Sequence, residues 1–180
     1  VNSIELNFSC PNLPNKSQIG YNFEDTDHLL RTISEFYDKS DFNPTFGVKL
    51  PPYFDQSHIS NISDILNNYN YIEYITCINS LGNNLIINDN DTVCIKPKNG
   101  LGGLGGKYLK PIGLSNVNQL YNFTNKYIIG CGGIQNGQDV YDSSWEVKDG
   151  FDAFFRLRAS SGTYAGEVPL TITIAVTNLY

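Results

Sequence analysis

From Ile4 to Cys131, short apolar runs alternate with longer stretches of helical periodicity. Repeated strand–helix units of this kind restrict a chain to a parallel sheet with crossover helices, either open or closed into a barrel. Ile4 to Phe8 reads as a strand. Asp25 or Thr26 caps a helix that places Leu29, Leu30, Ile33, Phe36 and Tyr37 on one face. Phe46 to Leu50 is the next strand, stopped by Pro51-Pro52. Ile59, Ile62, Ile65, Leu66 and Tyr69 mark a second amphipathic helix, and Tyr71 to Ile78 a third strand. Leu114, Val117, Leu120 and Tyr121 mark a third helix, and Tyr127 to Cys131 a fourth strand. Between Leu85 and Lys110 the spacing predicts a short hairpin around Asp89-Asn90-Asp91, followed by a glycine-rich loop.

The residues with chemical potential, Cys10, Lys49, Asn79 and Gly132, all fall where a strand ends. Barrel enzymes build their sites at that edge, and open doubly wound sheets also use it, so this placement favours the barrel without excluding the open sheet. After Tyr141 the pattern changes. Phe151, Ala153, Phe155, Leu157 and Ala159 alternate, as do Leu170, Ile172, Ile174 and Val176, which predicts a pair of amphipathic strands.

At 180 residues the chain is long enough for one domain with a substantial core. It contains no methionine and begins inside a predicted strand, which points to a piece of a longer chain. A net charge of −6 with no Lys/Arg cluster argues against nucleic acid or an anionic membrane surface as a partner. No apolar run reaches membrane-spanning length, and nothing resembles a signal peptide. Cys10, Cys77, Cys94 and Cys131 are widely spaced, with no C-x-x-C and no histidine pair. This spacing fits reduced thiols in a cytosolic protein and offers no metal site. His28 and His58 fall on predicted helices away from the motifs.

The segment Asn7-Phe8-Ser9-Cys10-Pro11-Asn12 sets a thiol between two primary amides on a proline-stiffened turn. A cysteine after a strand is commonly a small buried hydrophobe. Here the flanking amides can hold a substrate by its own N–H and C=O groups while the thiolate takes a proton, given a pKa below the ordinary value of about 8.5.

Asn-x-Ser-Cys-Pro-Asn, followed by Pro14, Lys16, Gln18 and Tyr21, resembles the active-site loop of the dihydroorotate dehydrogenases of the soluble, fumarate-linked class 1A. The resemblance continues in order through Gly47-Val48-Lys49-Leu50-Pro51-Pro52-Tyr53 and Asn79-Ser80-Leu81-Gly82-Asn83. It then extends through Lys96-Pro97-Lys98 with Gly102-Gly103-Leu104-Gly105-Gly106, and finally Gly130-Cys131-Gly132-Gly133, covering residues 1 to about 141. The quinone-linked class has serine where this chain has Cys10.

What the resemblance implies is a partial (β/α)8 barrel, strands four to seven, with FMN as cofactor and dihydroorotate and fumarate as substrates in pyrimidine synthesis. It implies a cytoplasmic enzyme that is a homodimer when complete. Cys10 would be the catalytic base, removing the C5 proton of dihydroorotate, and Asn7, Asn12, Asn79 and Ser80 would hold the substrate ring. FMN would be bound by Asn7, Lys49, Ile78, Gly105, Gly106, Cys131, Gly132 and Gly133, with Lys16 on a loop over the substrate. Residues 142–180 lack the helix, last strand and phosphate loop expected of the family, and so form a β-rich tail foreign to it. Two alternatives stand beside this reading. One is a non-catalytic remnant acting as a binding module; the other is an FMN-barrel oxidoreductase of the dihydropyrimidine or dihydrouridine type.

Overall fold

The computed structural model describes residues 2–10, 17–37 and 44–135, together with two strands at 153–158 and 171–176. Four parallel strands make the main sheet: β1 (Ser3–Asn7), β2 (Thr45–Lys49), β3 (Ile72–Cys77) and β6 (Tyr127–Gly130). Three helices connect them: α1 (Phe23–Tyr37), α2 (Gln56–Asn67) and α3 (Lys110–Phe123). The spatial order β1-β2-β3-β6 follows chain order without a reversal.

That order is consistent with barrel winding and not with a doubly wound sheet. Right-handed crossovers that always step in one direction put every helix on the same face, whereas a doubly wound sheet reverses and covers both. Consistently, α1 packs on α2 and α2 on α3 as one layer. The fold is α/β, wound like part of a (β/α)8 barrel.

The two faces of the sheet differ accordingly. Toward the helices, Phe8, Phe46, Val48, Leu50, Ile72, Ile75 and Ile128 meet Leu30, Ile59, Ile62, Leu66 and Leu120 in one apolar cluster. On the other face the registered rows are polar. Glu5, Gly47, Tyr74 and Tyr127 form one row, and Asn7, Lys49, Thr76 and Ile129 the next. Thr76 Oγ1 donates to Glu5 Oε2 at 2.6 Å, and the Tyr74 and Ser3 hydroxyls are 3.2 Å apart. Gly47 is required here because a Cβ would lie 2.1 Å from the Tyr74 ring. This face corresponds to the interior of a closed barrel.

The helix boundaries follow local chemistry, with two corrections to the sequence reading. α1 starts at Phe23, so neither Asp25 nor Thr26 is its cap. Asn22 does that work: its Oδ1 accepts the Asp25 N–H at 3.2 Å and its Nδ2 donates to Asp25 Oδ2 at 2.6 Å. Phe36, expected on the apolar face, is 68% exposed, and the buried stripe runs through Leu30 with Ile33 and Tyr37. α2 is capped by Asp55, whose Oδ1 accepts the His58 N–H at 2.9 Å. Ser57, together with the His58 backbone and ring, pulls the Asp55 carboxyl down to about 2.

The excursion after β3 differs from expectation in part. The expected hairpin around Asp89-Asn90-Asp91 is present, closed by an Ile87–Val93 bridge and by the Asn88 N–H donating to the Thr92 carbonyl at 2.9 Å, but it continues an antiparallel pair, β4 (Leu81–Leu85) with β5 (Leu101–Leu104). Gly102 and Gly103 therefore lie in a strand, not a loop. A Cβ on Gly103 would meet Ser80 Oγ at 2.4 Å, a tertiary demand that local sequence does not reveal. Near the C-terminus, β7 (Ala153–Arg158) and β8 (Thr171–Val176) pair antiparallel, with Ala153 opposite Val176. The rest of the predicted tail lies outside the described residues.

One buried polar residue ties the helix layer to the strand ends. Asn116 on α3, 1% exposed, accepts the Tyr53 N–H at 2.9 Å and donates to the Tyr53 and Ile112 carbonyls, each at 2.9 Å. Asn116→Ala leaves both Tyr53 main-chain groups unpaired in the interior. It is expected to cost about 3 kcal/mol in urea unfolding, the sum of two such losses.

Candidate active site

A residue singled out by the sequence lies at or just after the end of each parallel strand, and the register brings these ends to one rim. Asn7 closes β1 directly opposite Lys49, which closes β2. Asn79 follows β3, and its Nδ2 donates to Asn7 Oδ1 at 3.3 Å. The same Asn7 oxygen accepts the Ser9 N–H at 3.1 Å, and Asn79 Oδ1 accepts the Ser80 N–H at 2.8 Å. The two amides therefore hold each other and the start of the turn that carries Cys10.

The four thiols have different environments, and none is joined in a disulfide. Cys10 and Cys94 are exposed, Cys131 is half-buried and Cys77 is buried. Burial, with Cys131 nearby, raises the Cys77 thiol far above its ordinary range, so it stays protonated in the core. Of the two exposed thiols, only Cys10 lies beside the amide pair; Cys94 is on the hairpin that runs from Leu81 to Leu104. Lys49 is half-buried at the rim, and no carboxylate pairs with it among the described residues. Asn12 and Lys16 lie outside the described residues.

The glycines form a second part of the rim. Gly132 and Gly133 follow β6 with φ of +117° and +77°, a region that favours glycine. A Cβ on Gly133 would lie 2.5 Å from the Lys110 backbone nitrogen, so this loop packs directly against the start of α3. Gly105 and Gly106 precede α3 through a single 3-10 turn, Gly106–Leu109, and a Cβ on either would meet nothing within 4 Å. The open backbone at Gly105 and Gly106, beside the Gly132–Gly133 loop, is a cradle that an anion can approach closely.

Cys131 and Ile78 hold this cradle from below. Cys131 N–H donates to the Cys77 carbonyl at 2.6 Å and Ile78 N–H to the Cys131 carbonyl at 2.9 Å. Their amides are thus committed to the sheet. Ile78, preceded by a cis peptide bond, contributes its buried side chain beneath Gly113 and Gly132.

A cleft of about 450 Å³ opens beside the amide pair, with Ser9, Gln18, Ser80, Asn83 and Gly103 in its wall. Ser9 and Gln18 were not assigned a role by the sequence reading, although Gln18 belongs to the motif. Their contact spans nine positions and has no local signature.

The comparisons with known proteins agree with this geometry. A family model described as "Dihydroorotate dehydrogenase" matches residues 1–145. The chain is 46% identical over 140 residues to "Dihydroorotate dehydrogenase (fumarate)" of Trypanosoma brucei brucei, covering 77% of this chain and 43% of that protein. It is 50% identical over 141 residues to the protein of the same name from Kluyveromyces lactis, again covering 77% and 43%. The chain thus spans less than half the length of these relatives.

Among solved structures, the DHODH of Eimeria tenella in complex with ferulenol superposes with a TM-score of 0.60 at 18% identity. The match covers 79% of this chain and 41% of that one, and it supports the fold. Taken with the rim of amides, thiol, lysine and glycines, the family match makes the assignment: this chain belongs to the dihydroorotate dehydrogenase family.

Proposed function

We propose that residues 1–141 carry the thiol side of a dihydroorotate-oxidising site of the fumarate-linked type, acting in pyrimidine biosynthesis. The observation that carries this reading is the convergence of Cys10, the Asn7–Asn79 pair and Lys49 on one strand edge. Cys10, as thiolate, takes the proton from C5 of dihydroorotate. Asn7, Asn79 and Ser80, joined by Asn12, hold the ring through its N–H and C=O groups. These side chains both donate and accept, as a flat ring bearing both kinds of group requires.

FMN is the cofactor this reading calls for, and the residues present fit it. Gly105 and Gly106 leave open backbone just before α3 for a phosphate, with the close-packed Gly132–Gly133 loop beside them, and Lys49, unpaired among the described residues, offers a cation for the ring. Asn7 borders the same place, with Ile78 and Cys131 beneath. When bound, FMN would supply the hydride acceptor for C6 of the substrate, with fumarate as the oxidant that this class implies. By resemblance to the family, Lys16 is assigned a role toward the substrate.

The family match ends at residue 145, and we read the chain beyond it, which includes the β7–β8 pair, as foreign to the family. The complete enzyme works as a cytoplasmic homodimer. No helix among the described residues is long and apolar enough to cross a membrane.

Binding of FMN tests the reading without requiring turnover. The purified chain, mixed with FMN and passed through gel filtration, is expected to retain the flavin. Lys49→Gln is expected to weaken retention about tenfold in a fluorescence titration, as loss of one charge-assisted contact predicts. A colourless protein, or equal affinity in the variant, would contradict the assignment of this rim to flavin.

A further inference from the structure

The segment bearing Cys10 leaves the sheet at Phe8 and returns beside it at Gly20, and two hydrogen bonds join these points. Gly20 N–H donates to the Phe8 carbonyl at 2.8 Å, and the Ser9 hydroxyl donates to Gln18 Oε1 at 2.8 Å. Gly20 is itself fixed. Tyr53 Oη donates to its carbonyl at 2.5 Å, and a Cβ there would lie 2.6 Å from Pro51 Cδ. Ser9 is only 5% exposed and is held twice, through its N–H by Asn7 and through its hydroxyl by Gln18. The residue after this double anchor is the exposed Cys10.

A hydroxyl at this depth needs an acceptor, and the Gln18 side chain supplies it. With Oε1 occupied in this way, Gln18 Nε2 faces the cleft, 3.6 Å from where a Cβ on Gly82 would stand. One bond therefore sets both the root of the thiol-bearing segment and the orientation of an amide in the cleft wall.

We propose that Ser9 and Gln18 are positioning residues for the Cys10 thiol. The role in catalysis rests on the reading of Cys10 as the base; the restraint on the thiol does not, since it acts on any reagent that attacks there. Without the bond, Cys10 is freed from one of its two anchors and reaches solvent-side geometries more often.

Alkylation of the intact chain by iodoacetamide, read peptide by peptide, reports this directly. Exposed Cys94 serves as the internal reference, and buried Cys77 stays unlabelled while the fold persists. Ser9→Ala and Gln18→Leu are each expected to raise the Cys10-to-Cys94 rate ratio about fivefold, the effect of losing one neutral hydrogen bond. The double variant is expected to match either single one, because the same bond is lost only once. Ser9→Thr, which keeps the hydroxyl, is expected to stay within about twofold of the original ratio. If Ser9→Ala exposes Cys77, the half-buried Gln18 position still removes the acceptor and decides the question.

An unchanged or lowered ratio in the single variants would overturn the proposal, as would a double variant equal to the product of the two. Failure of dihydroorotate to reduce the flavin, with these ratios as expected, would remove the catalytic reading and leave the restraint standing.

Discussion

Replacing Cys10 by alanine is expected to slow flavin reduction by dihydroorotate about 10²–10⁴-fold near neutral pH, the usual contribution of a positioned proton acceptor. Because Cys10 is exposed, the truncation removes nothing from the apolar cluster, and stability is expected to stay within about 0.5 kcal/mol. Cys10→Ser is expected to be nearly as slow, since a hydroxyl yields its proton far less readily than a thiol. Stopped-flow absorbance under anaerobic conditions separates this chemical loss from any change in flavin binding, which both variants are expected to preserve. A Cys10→Ala protein that reduces its flavin within about tenfold of the original rate would assign the proton to another group.

Gly133→Ala is expected to have the largest effect on the fold. Its φ of +77° disfavours any side chain, and the new Cβ would press on the Lys110 backbone at 2.5 Å, which cannot swing away as a side-chain tip could. Backbone strain and overpacking together are expected to cost about 3 kcal/mol, lowering the thermal midpoint by roughly 10 °C for a chain of this size. Flavin retention is expected to fall with it, because Gly132 and Gly133 form one wall of the cradle. Gly105→Ala is the matching control. At φ −125° with open space around it, it is expected to leave the melting temperature unchanged. If Gly133→Ala melts with the original protein, the contact between this loop and α3 is looser than the geometry implies.

The strand–helix alternation was legible because β-branched runs, the Pro51-Pro52 stop and the helical spacing around Ile59 and Leu66 are local signals. The rim was legible too, since Asn7, Lys49 and Asn79 each fall where such a run ends. What favours barrel winding over a doubly wound sheet is the order of strands in space, and no local pattern carries that. The start of α1 was misplaced because Asn22, Asp25 and Thr26 can each act as a cap. The choice was made by the turn at Ile19–Tyr21, which delivers Asn22 in extended geometry. Gly102 and Gly103 looked like a loop for a similar reason. Their lack of side chains serves a strand that passes over Ser80. Asn116 and the Ser9–Gln18 bond were missed because their partners are fixed only by packing.

The central claim is that Cys10 and the amide rim act on dihydroorotate. The most direct measurement is the visible spectrum of the FMN-loaded chain before and after anaerobic addition of dihydroorotate, with Cys10→Ala run alongside. The account predicts that the flavin band bleaches in the original protein and persists in the variant over the same interval. Retained flavin that dihydroorotate fails to bleach, or that bleaches equally in both, would contradict it.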